Sequence, residues 1–196
     1  MKRVFIDASI TSSGVSIYDD DTRQTFLYTY SDKLKEEIKF SVGRFEIWLE
    51  PQPKQRKNKP WFPDLFQKYI HISDRIISVI LHRSDSTTEY YIEGYAYSGQ
   101  GKNFNIGEFG GLLKHGIYKE YGSEFTMTEI PPSEWKKFNT GNGNAPKKMI
   151  YDSMMKTKMG EVLAELLVRG YPYKEKSWIE DIVDVYAIQN YILNTI

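Results

Sequence analysis

Four acidic residues lie where ordinary surface charge explains them poorly. Asp7 ends the apolar stretch 4–6, and Glu93 ends the β-rich stretch 88–92. Asp181 and Asp184 are three positions apart in the apolar segment 179–193, so they share one face of a helix. Burying like charges in an apolar core is costly, and a divalent cation between them removes that cost. The pattern predicts that these four carboxylates converge on one or two metal ions.

Each signal also has a simpler explanation. Asp7 can be a turn residue and Glu93 an ordinary charge at the end of a strand. Two aspartates near the start of a helix can compensate the helix dipole. Only the order of all four acids along one mixed chain favours the metal site over these alternatives.

The composition limits which metal such a site would hold. The chain has 196 residues, no cysteine and three scattered histidines. Disulfide scaffolds, thiolate zinc sites and cysteine nucleophiles are therefore excluded. A metal must be held mostly by carboxylates, which are the preferred ligands of Mg²⁺ and Mn²⁺. No stretch approaches the roughly 18 apolar residues of a membrane span, and we expect no membrane association.

The hydrophobic patterning predicts an α/β protein with a central sheet and helices packed on it. Strands are predicted at 4–7, 15–18, 24–30, 45–49, 88–93 and 125–130. Helices are predicted at 63–83, 104–121 and 179–193. A short helix is expected to begin with Ser133 as its N-cap, and Pro146 suits the first turn of another. The residues before 45 are ambiguous and can be helical.

Four segments carry a resemblance to a known family. In chain order they are FIDASITSSGVSIY, YIEGY, WKKFNTGNGNAPKK and EDIVDVYAI. Together they resemble the RuvC family of Holliday-junction resolvases, in a phage or viral branch. The resemblance covers about the first 20 residues and most of the chain after Glu89, and the GNGNAxK loop followed by DxxDxxA is its most specific part.

The resemblance implies an RNase H-like fold, with a five-stranded mixed sheet flanked by helices. In that fold an antiparallel meander is followed by parallel strands. It also implies one nuclease domain over 1–196, with an insertion around 31–62 that is atypical of the family. We expect such a protein in the cytoplasm of a bacterial cell or infected host, where it would act in DNA recombination and repair.

The resemblance also implies roles for individual residues. Asp7, Glu93, Asp181 and Asp184 match the family's metal-binding acids, which implies two Mg²⁺ ions per active site, with Mn²⁺ able to substitute. The matched functional lysines are Lys147 and Lys136, and a one-residue slip exchanges them with Lys148 and Lys137. Many bacterial members carry a junction-opening phenylalanine three residues beyond the glutamate. Here that place is Ala96, and either neighbour, Tyr95 or Tyr97, can substitute.

Two basic regions are candidate DNA contacts. The segment 135–159 has one acidic residue, and its lysines are Lys136, Lys137, Lys147, Lys148, Lys156 and Lys158. The loop 51–60 has none, and its cations are Lys54, Arg56, Lys57 and Lys59. Phosphate contact is one interpretation, and a solubilising surface is the other. The loop 139–144, with Asn142 and Asn144, can present backbone N–H groups to a phosphate or can be a plain turn.

A four-way junction has approximate two-fold symmetry, and two matched cuts call for a two-fold homodimer. The helix over 104–121 is the candidate interface, because its glycines permit close approach. The predicted interface residues are Phe104, Gly107, Gly110 and Gly111. The alternative is that this helix only packs on the sheet.

Together these features predict a metal-dependent endodeoxyribonuclease that resolves four-way DNA junctions by paired symmetric nicks. One alternative is a related nuclease of broader specificity, which cuts flaps, three-way junctions or hybrids. Another is a non-catalytic junction-binding protein. We do not expect an actin-like ATPase or sugar kinase, because those proteins need a second half of the fold that 196 residues do not provide.

Overall fold

The computed structural model describes residues 1–53, 65–94 and 102–195. Strands, numbered in chain order, are β1 (Lys2–Asp7), β2 (Ser12–Asp19), β3 (Gln24–Ser31), β4 (Ile38–Val42), β5 (Phe45–Pro51), β6 (Glu89–Glu93) and β7 (Met127–Ile130). Within this part of the chain they form one sheet in the order β4-β5-β3-β2-β1-β6-β7. β1, β2 and β3 are an antiparallel meander, and β6 and β7 continue the sheet parallel to β1.

The helices are α1 (Leu65–Arg83), α2 (Lys102–Tyr121), α3 (Pro132–Thr140), α4 (Lys147–Met154), α5 (Met159–Val168) and α6 (Trp178–Thr195), with a 3₁₀ turn at Gly122–Glu124. In the described ranges no helix has the length and apolar character needed to cross a bilayer. The predicted mixed α/β architecture is confirmed. The helical boundaries differ from the sequence-based ones by a few residues, as fraying ends usually do.

In the described residues the sheet has seven strands, which corrects the expected number of five. Five strands form the predicted mixed sheet, and β5 pairs parallel to the outer edge of β3 with β4 beyond it. The helix considered possible before residue 45 is β4. Ile38, Phe40 and Val42 alternate along β4, and all three pack against the core that contains α5 and α6. Burial of one face of this hairpin therefore outweighs any local helical preference.

The alternation of side chains along β1 decides which residues face the site. Val4 and Ile6 lie in the core beneath α1 and α2, whereas Phe5 lies in the core beneath α3 to α6. Successive side chains of a strand point to opposite faces, so Asp7 lies on the same face as Phe5. Glu93 shares that face by the same argument, because Tyr91 belongs to the core of α3 to α6.

Two predicted helix starts are corrected. Ser133 is not the N-cap of α3, because the helix begins at Pro132 and Pro131 is the cap, without a side-chain cap hydrogen bond from any described residue. Proline fits a first turn because the missing N–H has no helical partner there. Pro146 is the N-cap of α4 rather than part of its first turn, since its ψ of 156° is extended.

Candidate active site

Asp7 and Glu93 meet at the carboxyl ends of two adjacent parallel strands. Ile6 pairs with Ile92 in the β1–β6 ladder, so the next residue of each strand lies at the same edge of the sheet. The Asp7 carboxylate is close enough to Glu93 to raise the pKa of that group. The indole Nε1 of Trp135 donates a hydrogen bond of 3.2 Å to Glu93 Oε1. The predicted convergence of these two acids is therefore present in the structure.

A glycine in β2 brings the second pair of acids to this edge. Gly14 lies opposite Asp7 in the β1–β2 ladder. A Cβ atom at Gly14 would lie 2.6 Å from the carbonyl oxygen of Asp181, so the backbone of α6 rests directly on β2 there. This close approach places Asp181 and Asp184 beside the Asp7–Glu93 pair, on the same face of the sheet.

Two lysines balance the acids of α6. Lys147 Nζ forms an ion pair with Asp184 Oδ2, and Asp184 is only 1% exposed. Lys33 Nζ lies 3.5 Å from Asp181 Oδ2, and Ser12 Oγ donates a hydrogen bond to the same oxygen. Asp184 Oδ1 is buried and has no hydrogen-bond partner among the described residues. One strong acceptor in the site is thus left open.

The electrostatics reflect crowding of like charges in a poorly solvated place. Burial, followed by the neighbouring Asp7 carboxylate, raises the pKa of Glu93 to about 8. Burial also raises the pKa of Asp181 to about 7, although Lys33 and Ser12 act in the opposite direction. Asp7 contributes to raising both pKa values. Asp7 is therefore electrostatically coupled to both Glu93 and Asp181, as expected for carboxylates in a low-dielectric site.

Across the described residues, no three histidine, aspartate or glutamate side chains are gathered into a group that could hold a metal ion as they stand. Lys147 and Lys33 each take up one oxygen of the α6 acids, and Trp135 takes up one oxygen of Glu93. The groups available for a cation are hard carboxylate oxygens, among them the unpartnered Asp184 Oδ1.

The remaining predicted lysines differ in their surroundings. Lys136 lowers the pKa of Glu93 electrostatically, and its Nζ lies 5.2 Å from the centre of the Trp135 ring. Lys148 pairs with Asp152 on the surface, one helical turn along α4. Lys137 is exposed. Of the four lysines Lys136, Lys137, Lys147 and Lys148, it is therefore Lys147 and Lys136 that act on the acids.

In the loop after α3, backbone N–H groups donate hydrogen bonds to acceptors within the loop itself. The N–H of Asn142 donates to Thr140 Oγ1, the N–H of Asn144 to Asn142 Oδ1, and the N–H of Ala145 to the Asn142 carbonyl. These three groups are already satisfied within a turn. Both asparagines are exposed, which leaves their side chains as the groups that DNA could contact.

On α2, two of the three predicted interface glycines, Gly107 and Gly111, lie away from the core, and the third, Gly110, is buried. Phe109 is completely buried against the sheet, as in the packing alternative. A Cβ atom at Gly107 or Gly111 would meet no described atom within 4 Å, and Gly111 is exposed, whereas Gly110 is buried. This helix thus packs on the sheet and still leaves one glycine-lined surface open.

Several predicted contacts lie outside the described residues. They are Lys54, Arg56, Lys57, Lys59, Tyr95, Tyr97 and the side chain of Phe104. The DNA-binding, junction-stacking and interface roles of these residues stay predictions.

Three residues of the site were not predicted from the sequence: Ser12, Lys33 and Trp135. One signal could have found Lys33. It comes just after β3, which is parallel to β1, so it lies at the same edge of the sheet as Asp7. Ser12 and Trp135 gave no such signal, because their partners Asp181 and Glu93 are far away in the sequence.

The sequence matches no protein-family model and no curated protein sequence. Solved structures are similar in fold. Thermus thermophilus RuvC shares 15% identity at a TM-score of 0.54, covering 99% of this chain and 96% of that one. T. thermophilus RuvC in complex with Holliday junction substrate shares 13% sequence identity at a TM-score of 0.52, and the match covers 99% of this chain and 95% of that chain. The yeast mitochondrial Holliday junction resolvase shares 11% sequence identity at a TM-score of 0.44, and the match covers 96% of this chain and 76% of that chain. The two RuvC structures show that the chain has a RuvC-like fold.

Proposed function

We propose that this chain is a divalent-metal-dependent endodeoxyribonuclease that resolves four-way DNA junctions by paired symmetric nicks. The observation that carries the proposal is that Asp7 and Glu93 lie at one edge of a RuvC-like sheet, with Asp181 and Asp184 of α6 packed beside them. A RuvC of the same fold has been solved with Holliday junction substrate, which supports branched DNA as the ligand class.

The acids suit a hard divalent cation. Carboxylate oxygens are the ligands that Mg²⁺ and Mn²⁺ prefer. Asp184 Oδ1 is buried without a described partner, and the pKa values of Glu93 and Asp181 are raised, so added positive charge would relieve both conditions. We assign Asp7, Glu93, Asp181 and Asp184 as the residues that would hold two such ions. When bound, the ions would activate a water molecule and stabilise the leaving oxygen of a phosphodiester.

The lysines complete the chemistry that the chain itself supplies. Lys147 Nζ lies on Asp184 and Lys136 lies near Glu93, so both can reach a phosphate held above the acids. A cation fixed in a poorly solvated site stabilises the charge that develops on the phosphate during cleavage. Trp135 holds the Glu93 carboxyl in position through its indole N–H.

Paired cutting requires two such sites. A two-fold homodimer would place one site on each of two opposed strands of the junction. The open surface of α2 around Gly107 and Gly111 is our candidate interface, because helices approach closely where glycines replace larger side chains.

The test is cleavage of a labelled mobile four-way junction with Mg²⁺. We expect the wild-type chain to make two symmetric nicks and release ligatable duplexes. Asp7→Asn should lose cleavage and keep junction binding, because it changes a proposed ligand and leaves the fold intact. Asp74→Asn, an exposed aspartate on α1 across the sheet, is the matched control and should cut normally. Wild-type rates from Asp7→Asn would overturn the proposal.

A panel of substrates separates the alternatives. Equal cutting of flaps, three-way junctions and DNA–RNA hybrids would indicate the broader branched-DNA nuclease. Tight junction binding without cleavage in either Mg²⁺ or Mn²⁺ would indicate a non-catalytic junction-binding protein.

A further inference from the structure

A cleft lined by lysines lies next to the four acids. The segment after β3 and the loop between α5 and α6 enclose a cleft of about 300 Å³. Its lining includes three lysines, Lys33, Lys35 and Lys174, against one acid, Glu36. The Glu36 carboxylate lies 3.4 Å from the Tyr171 hydroxyl, which donates a hydrogen bond to it. The cleft thus carries an excess of positive charge, although the chain as a whole has a formal net charge of +0.

The walls of the cleft are fixed by local structure. Gly170 adopts a left-handed φ of 86° and ends α5, and the Tyr171 N–H donates a hydrogen bond of 2.9 Å to the Leu166 carbonyl. This is the pattern of a Schellman motif. The Tyr171 ring then packs edge-on against Trp178, the first residue of α6, with 5.7 Å between centroids. On the opposite wall, Leu34 is 2% exposed and anchors the segment after β3.

Lys33 joins this cleft to the acids. Its ammonium lies 3.5 Å from Asp181 Oδ2 while its side chain remains 31% exposed and lines the cleft. An anion at the inner end of the cleft would therefore compete with Asp181 for the same ammonium. Lys35 and Lys174 are exposed, and they line the same cleft from its two walls.

We infer that this cleft binds the phosphodiester backbone of the DNA strand that enters the active site, with Lys33, Lys35 and Lys174 as its phosphate contacts. Lys33 is the positioning residue, because it alone of the three contacts an acid of the site. The inference rests on the proposed nuclease function and extends it to the path of the substrate strand. Phosphate contacts of this kind set affinity and register without reading base sequence.

The first test measures junction binding as a function of salt in the Asp7→Asn background. Each lost phosphate contact lowers the slope of log K against log[salt] by about 0.7–0.9. Lys35→Ala combined with Lys174→Ala should therefore lower it by about 1.4–1.8, and should weaken binding about tenfold at moderate salt. The matched control is Arg44→Ala with Lys119→Ala, which removes two exposed charges elsewhere on the surface. A slope equal to that of the control would overturn the inference.

The second test concerns Lys33 itself. Lys33→Ala should raise the KM for junction cleavage by about tenfold, because the loss of one charged contact is of that order. Lys33→Arg should restore most of the loss, since it keeps the charge. A purely structural role would instead lower the melting temperature and leave the salt slope of binding unchanged, which would refute the assignment.

The two proposals fail in different ways. If the wild-type chain neither binds nor cuts branched DNA, the proposed function is wrong. If it binds and cuts while the cleft variants behave like the control pair, only the cleft inference is wrong.

Discussion

Gly14 and Asp181 are in backbone contact, with 2.6 Å between the carbonyl oxygen of Asp181 and the place where a Cβ of Gly14 would lie. Because Gly14 is also the ladder partner of Asp7, this contact joins α6 to the strand that carries the first acid. The absence of a side chain at one position in β2 therefore determines how close the acids of α6 come to those of the sheet.

Gly14→Ala tests this contact. The added methyl group meets backbone that cannot rotate away, so α6 must shift. We expect the free energy of unfolding to fall by about 1–3 kcal/mol, in the range of other overpacked cores. Cleavage should fall further than stability, because Asp181 and Asp184 move with the helix. Urea unfolding and junction cleavage measure the two effects.

Gly111→Ala is the matched control for that substitution. Gly111 lies within α2, and a Cβ there meets no described atom within 4 Å. Alanine should raise the free energy of unfolding by about 0.5–1 kcal/mol, because it favours the helix more than glycine does. Equal effects of the two alanines would contradict the packing argument.

Lys147→Met should destabilise the metal-free protein. It leaves the Asp184 carboxylate, 1% exposed, without its cation. Breaking a fully buried pair costs about 3–5 kcal/mol, and we expect about 1–3 kcal/mol here because Lys147 is half exposed. Chemical unfolding with a chelator measures the loss, and added Mg²⁺ should recover part of it.

The neighbouring lysine provides the comparison. Lys148 pairs with Asp152, and both side chains are more than half exposed. Lys148→Met should change the free energy of unfolding by less than about 0.5 kcal/mol, as is usual for surface pairs. A loss as large as that of Lys147→Met would mean that the charge of α4, rather than the pair with Asp184, is what matters.

The stability of the metal-free protein should rise as the pH falls from about 8 toward 5. Glu93 has a pKa of about 8 and Asp181 of about 7 in the folded chain, against ordinary values of 4.5 and 3.8. The folded state therefore binds protons more tightly than the unfolded state within this window, and each such proton contributes up to about 1.4 kcal/mol per pH unit. Thermal or urea unfolding with a chelator measures the slope.

Two changes should flatten that slope. Mg²⁺ would compete with protons for the same carboxylates. Saturating Mg²⁺ should therefore stabilise the folded protein more at higher pH than at lower pH. Glu93→Gln removes the group with the higher pKa and should abolish the upper part of the dependence. A metal-free protein that loses stability on acidification from pH 8 to pH 6 would contradict the electrostatic description of the site.

Gly111→Glu should separate assembly from folding. The glutamate has open space in the monomer, so the melting temperature should stay within a few degrees of wild type. If α2 is the dimer interface, buried like charges would oppose association, and sedimentation should show a monomer. Paired cutting should then become single nicking.

Gln24→Glu, which adds the same charge at the exposed start of β3, is the control for assembly. It should sediment as the wild type does. A wild-type chain that is monomeric at micromolar concentration with junction DNA present would refute the dimer proposal.

The sequence was sufficient to predict the strands and helices whose side-chain patterns are local. The apolar patterns of β1 and β6 predicted that Asp7 and Glu93 end strands. The three-residue separation of Asp181 and Asp184 predicted that both lie on one face of a helix. These features depend on side-chain periodicity within a few residues, which the backbone geometry of strands and helices imposes. The five central strands followed from the same patterns and from the resemblance to RuvC.

Tertiary structure decided the rest. Alternation over residues 45–49 predicted β5, whereas β4 and its pairing with β5 depend on burial against the core of α5 and α6. The partners Lys33 and Ser12 of Asp181, and Trp135 of Glu93, come from other elements of the fold. Such contacts form only when the chain closes long loops, and their energies depend on burial and charge in the assembled core. Sequence therefore supplied the acids, and packing decided their distance from one another and the cations beside them.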